Sequence, residues 1–188
     1  MTTIIDGSAS ADFATPLPLT EGGTGATSNI GTVASVTMLQ TRTQDSYSAP
    51  TTGDGTVITP LNITFTPKQA GNKVILAFYI RGEADDSSSV FLVSRNGVLL
   101  ADSTDASNNR WAGVAGLSYD TNTASTPNNM TVSILDLNTL AIESTYKVQI
   151  RSADAGAHPF RLNRSYSSAG ADSQETSVSV STATEIWA

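Results

Sequence analysis

At 188 residues the chain has room for one domain and an appendage, and it carries a formal charge of −7 from 17 acidic and 10 basic residues. Charged residues make up only 14% of it, while Ser and Thr supply roughly a quarter, so its surface is neutral and hydrogen-bonding rather than ionic. With no basic run and no cysteine, the sequence argues against nucleic-acid binding, attachment to anionic membranes, disulfide staples and thiolate zinc sites.

Residues 1–34 read as an arm. The start, Met1-Thr-Thr-Ile-Ile-Asp-Gly7, has no basic n-region and no long apolar stretch, so no signal peptide is expected. Nothing in the chain approaches the ~18 apolar residues of a membrane span, and no membrane insertion is expected. The arm's sizeable apolar groups are Ile4, Ile5, Phe13, Leu17 and Leu19. They are too sparse to build a core of their own, which predicts that they dock on another subunit or on a larger particle. Pro16 and Pro18 hold the chain extended, and Gly22, Gly23 and Gly25 remove side chains that would resist tight packing. The stretch Pro16-Leu-Pro-Leu-Thr-Glu-Gly-Gly-Thr-Gly-Ala-Thr27 is therefore a connector. It resembles the LPL…GGTGAT linkers of bacteriophage tail-fibre and related virion proteins.

From residue 35 the pattern becomes that of strands, and residues 35–188 form the second unit. Val36, Met38 and Gln40 alternate with Thr37, Leu39 and Thr41. Residues 46–55, rich in Ser, Pro and Gly, read as a loop. Leu61, Ile63 and Phe65 alternate with Asn62, Thr64 and Thr66, with Pro60 at the start of an edge or strand. Val74-Ile-Leu-Ala-Phe-Tyr-Ile80 is apolar on both faces, which predicts cover on both sides. Asn96-Gly97 between apolar runs predicts a tight hairpin, since both residues tolerate positive φ. Further strands are expected over 111–119, 130–137, 146–150, 160–163 and 176–186, with Val178 and Val180 alternating against Ser in the last. Residues 139–144 could hold one helical turn. Eight to ten short strands at roughly ten-residue spacing predict an all-β sandwich or jelly roll.

With the strands laid out, the order Pro60-Leu-Asn-Ile-Thr-Phe-Thr-Pro67, Asn72-Lys-Val-Ile-Leu76, Ser94-Arg-Asn-Gly97, Ser144-Thr-Tyr-Lys-Val-Gln-Ile-Arg151, Leu162-Asn-Arg-Ser165 and Val178-Ser-Val…Glu185-Ile186 resembles phage virion domains with a C1q/TNF-like jelly roll. The resemblance spans about residues 36–188. It implies a tight homotrimer wrapped round a threefold axis, a knob on a fibre tip or a capsid, on the exterior of a virion assembled in a host cytoplasm. The two-sided strand argues for a symmetric oligomer on its own terms. The axis then takes Phe78, Tyr79 and Ile80, or the alternate set Val74 and Leu76; only one parity can point there.

Catalytic signals are weak. His158 is the sole histidine, which rules out a multi-histidine metal site, and it reads as an exposed or strand-edge residue. No nucleophile elbow, Walker loop or zincin helix is present. Asp85-Asp86, Asp102 with Asp105, and Asp154 read as solvated turn carboxylates, none with calcium-loop spacing. No enzyme activity, cofactor or metal is expected. Asn109, Arg110, Trp111 and Tyr119 could form a sugar-binding patch, with core or interface as the alternative for Trp111. Residues 84–90, 102–112 and 120–129 are the candidate distal loops for a host-surface glycan or receptor. A tail-fibre knob involved in host attachment and a head-fibre or capsid-decoration protein, each anchored to other virion proteins through residues 1–34, are the two leading functions. A carbohydrate-binding module or glycan-degrading enzyme is the alternative from another class, and a TNF-like ligand a further one.

Overall fold

The computed structural model describes residues 31–84, 89–100, 104–105, 110–111, 113–117, 127–137, 139–152, 158–165 and 176–188. In chain order the strands are β1 (Val33–Thr41), β2 (Asp45–Ala49), β3 (Thr56–Val57), β4 (Ile63–Phe65), β5 (Lys73–Ala84), β6 (Ser89–Arg95) and β7 (Val98–Leu99). They continue with β8 (Thr104–Asp105), β9 (Arg110–Trp111), β10 (Ala115–Gly116), β11 (Asn128–Asp136), β12 (Ser144–Ser152), β13 (His158–Leu162) and β14 (Ser179–Ile186).

All pairings are antiparallel and build two six-stranded sheets plus the β8–β9 ribbon. In the first sheet the order across one half is β1–β14–β5–β11, and across the other β2–β13–β5. In the second, β12 has β3 and β4 on one side and β6 on the other, and β6 in turn carries β7 and β10. The chain passes between the sheets after β2, β4, β5, β10, β11 and β12, so the two layers close over one core.

That core is filled by one parity of each long strand. Val74, Leu76, Phe78 and Ile80 of β5 and Val132 of β11 face Ile63 and Phe65 of β4, Phe91 and Val93 of β6, and Tyr146, Val148 and Ile150 of β12. Phe91 and Phe160 meet edge to face, ring centres 5.7 Å apart at 86°, and join the two sheets. Such a contact contributes about 1 kcal/mol beyond the area it buries. Gly82 is required here: a Cβ would lie 2.5 Å from the Phe160 ring and 2.3 Å from the Arg161 carbonyl oxygen.

Several expectations are met in detail. Asn96 and Gly97 have φ of 50° and 86°, and Arg95 pairs with Val98 across them. Leu61, Ile63 and Phe65 are all buried. Others need correction. Pro60 sits in a single 3-10 turn, Thr59–Leu61, rather than opening a strand. Residues 45–49 are strand β2, not loop; Tyr47 and Ala49 alternate inward against Ser46 and Ser48, a period-2 signal carried by few large side chains. Residues 139–143 hold no helical turn. The segment 111–119 contributes only Arg110–Trp111 and Ala115–Gly116 among the described residues.

The last strand reverses the usual alternation. Ser179, Ser181, Ala183 and Glu185 face in and are fully buried, whereas Val180, Thr182, Thr184 and Ile186 face out. Inward serines are tolerated because each finds a partner: the Ser181 hydroxyl donates to the Leu61 carbonyl at 2.8 Å, and Ser179 to Asn163 Oδ1 at 2.7 Å. Asn163, at φ 56°, also donates to the Thr41 and Thr43 carbonyls at 3.1 and 3.0 Å. It thus ties the end of β1 and the connection to β2 onto the residue that follows β13.

Candidate functional site

The outer face of the first sheet carries the most unusual surface. Register aligns three rows across four strands: Val36–Thr184–Ile75–Leu135, Met38–Thr182–Ala77–Ser133, and Gln40–Val180–Tyr79–Thr131. Met38 is 62% exposed, Val36 59%, Tyr79 48% and Leu135 44%. A solvated sheet face normally alternates apolar-in with polar-out. Here β1, β5, β11 and β14 each turn apolar side chains outward at matching positions, with threonines between them. Large contiguous apolar patches on a monomer mark an interaction surface.

This face settles the parity of strand β5 and corrects the predicted axis residues. Val74, Leu76, Phe78 and Ile80 have no exposure, because they fill the chain's own core and cannot reach a second subunit. Of the five named positions only Tyr79 is on the outer face, and Ile75, Ala77, Val36, Met38 and Leu135 share that face with it. The signal for them was legible in the alternation of β1 and β5, but alternation alone does not say which parity faces water.

At one end of the sandwich, residues 31–32 before β1 and the residues after β14 lie side by side. The Gly31 amide donates to the Trp187 carbonyl at 2.8 Å, and the Trp187 amide to Thr32 at 3.0 Å. Lys68 Nζ donates to the Ala34 carbonyl at 2.6 Å. Beneath them sits Glu185, a fully buried carboxylate. Its Oε1 accepts from Asn72 Nδ2 at 2.7 Å, from the Lys68 amide at 2.7 Å and from the Gln69 amide at 3.4 Å, and its Oε2 from the Ser35 hydroxyl at 2.7 Å. Burial pushes this carboxyl up, but the bonds from Asn72, Ser35, Lys68 and Gln69 outweigh it and hold it below the ordinary value. Asn72 extends the clasp: its Oδ1 accepts from the Ala188 amide at 3.3 Å and its carbonyl from the Thr139 hydroxyl.

A second buried carboxylate, Asp136, stands at the end of β11. Arg95 Nη1 donates to Asp136 Oδ1 and Oδ2 at 3.1 and 2.8 Å, and the Tyr146 hydroxyl donates to Oδ2 at 3.0 Å. Burial first, and then this carboxylate, push the Tyr146 phenol well above its usual range. Burial, with the charge of Asp45 beside it, pushes Tyr47 up to about 12. Glu185 and its donors hold segments together, whereas Arg95 and Asp136 also line a cleft of about 300 Å³ with Val98, Leu135 and Leu137. The described residues contain no cluster of three or more His, Cys, Asp or Glu side chains able to share a metal ion. No described helix is long and apolar enough to cross a membrane.

Ile4, Ile5, Phe13, Leu17 and Leu19 lie outside the described residues, as do Asn109 and Tyr119. Arg110 and Trp111 form β9, paired with Asp105 and Thr104 of β8. His158 opens β13 opposite Ala49. Sequence reasoning missed Glu185 as a buried anchor, as well as Asn163 and Asp136. Each is a single polar residue in or beside a strand, and nothing local in the sequence distinguishes it from a solvated one.

No family model matches the chain, and no curated protein matches it. Among solved structures it is similar to dimeric latent PorU from Porphyromonas gingivalis, at 10% identity and a TM-score of 0.38. The match covers 85% of this chain and 14% of that one.

Proposed function

We propose that this chain is a structural component of a phage virion: a homotrimeric knob of jelly-roll type, held on the particle by residues 1–34 and displayed on its exterior as a tail-fibre tip for host attachment. The observation that carries the oligomer is the outward apolar face of Val36, Met38, Ile75, Tyr79 and Leu135, which a single chain leaves in water. The strand order supports the jelly-roll reading: first and last strands lie side by side in one sheet, and the chain crosses repeatedly between the two layers. The virion assignment rests on the linker at residues 16–27 and on the order of strand segments.

The direction of the chain orients the body on its anchor. The arm joins the body at Gly31, beside Trp187 and the ends of β5 and β14. The strand ends Ala84, Ser89, Asn128, Ser152 and His158 lie at the opposite end of the sandwich. A body anchored through its arm thus turns those strand ends outward, toward a host surface. The role is mechanical and adhesive rather than catalytic.

The test is imaging of particles from a lysate that makes this chain, gold-labelled with antibody to residues 35–188. Label at fibre tips is the expected result. Label spread over the head would replace the tip with a capsid decoration, and free label with bare particles would overturn the virion role.

A further inference from the structure

Asn96-Gly97 is the chain's single Asn-Gly pair, and the fold sets it in the open. Both residues are exposed at the tip of the β6–β7 hairpin, where Gly97 has φ of 86° and an added Cβ would meet nothing within 4 Å. The side-chain amide of an asparagine is open to attack by the backbone nitrogen of the next residue. A side chain on that residue hinders the approach, and glycine brings none. Other asparagines are placed differently. Asn72 and Asn163 are buried, their side-chain amides donate to Glu185 and to the Thr41 and Thr43 carbonyls, and the bulky Lys73 and Arg164 follow them.

We infer that Asn96 is a self-modification site: its amide converts to a carboxylate without an enzyme, at a rate set by its hold on β12. The Gly97 nitrogen bonds to Asn96 Cγ and gives its proton to water, the Cγ–Nδ2 bond breaks, and ammonia leaves. Water then opens the cyclic imide at one of its two carbonyls, giving aspartate or isoaspartate. Water is consumed, ammonia is released and nothing is oxidised. The fold restrains the first step. The Asn96 backbone amide donates to the Thr145 carbonyl at 2.9 Å, its Oδ1 accepts from the Thr145 amide at 2.9 Å, and its Nδ2 lies 3.5 Å from the Ser144 hydroxyl. A side chain held on Thr145 must leave it before closing on its own main chain. The two products differ in consequence. Aspartate keeps an oxygen for the Thr145 amide, whereas isoaspartate adds a carbon to the main chain inside a two-residue turn. The Arg95–Val98 pairing and the bond from the Leu100 amide to the Val93 carbonyl are then lost.

The test is peptide mass spectrometry of the full chain aged in mildly alkaline buffer, both folded and in guanidinium sufficient to abolish its far-ultraviolet dichroism. Conversion in guanidinium is expected first at Asn96. In the folded chain it should run about tenfold slower, because the bonds to Thr145 are then in place. Hydrogen exchange on the aged folded chain should show protection lost at the Leu100 amide in the isoaspartate fraction, with the β6 amides that face β12 unchanged. Another asparagine converting first in guanidinium would overturn the site. Equal or faster conversion in the folded chain would overturn the restraint by β12, and an isoaspartate form fully protected at Leu100 would overturn the effect on the hairpin.

Discussion

A carboxylate removed from water is stable only where donors replace the water it lost. Glu185 has four, from Ser35, Lys68, Gln69 and Asn72, so it fastens the start of β1 and the 68–72 turn onto β14. Glu185→Ala strands those donors and should cost about 3 kcal/mol in chemical denaturation. The pH dependence has a definite sign. The folded carboxyl sits below its ordinary 4.5, so its contribution is whole above that value and is lost as pH falls toward the folded value. Melting curves collected from neutral to acid pH should show a steeper loss below 4.5 for the native chain than for Glu185→Gln. Equal slopes would show that the carboxylate is not held by its charge. Gly82→Ala tests packing rather than charge. Its methyl would meet the Phe160 ring and the Arg161 carbonyl, and the expected cost is about 1–3 kcal/mol; an unchanged midpoint would contradict the tight fit.

At the level of elements, the alternation of β5 decides what each substitution does. Phe78→Ser removes a fully buried ring and should cost about 4 kcal/mol, visible as lost folding. Tyr79→Ser, one residue on, removes a half-exposed ring. It should leave the fold in far-ultraviolet dichroism and lower the native mass in light scattering. If both variants behave alike, the face carries no interaction. The same alternation shows what could be read beforehand. Strand positions and the Asn96-Gly97 hairpin were legible because apolar runs and turn residues are local signals. The orientation of β14 was not, since Ser179 and Ser181 face inward only because the Leu61 carbonyl and Asn163 wait there. Strand β2 was hidden because Ser46 and Ser48 dilute its two inward residues. Partners supplied from 16 to 120 positions away leave no mark on the neighbouring sequence.

For the whole molecule, the sandwich has two unlike ends. One end gathers Gly31, Trp187 and the Glu185 clasp; the other collects the strand ends that would face outward from an anchored arm. The two-sided apolar run at 74–80 pointed to a partner, but only the register of four strands shows which side chains remain for it. The most direct measurement is the native mass of the full chain in dilute buffer by light scattering coupled to size exclusion. Three times the 19.5 kDa chain mass is the expected value, falling toward one chain in Tyr79→Ser. A stable, compact species at the single-chain mass would contradict the account.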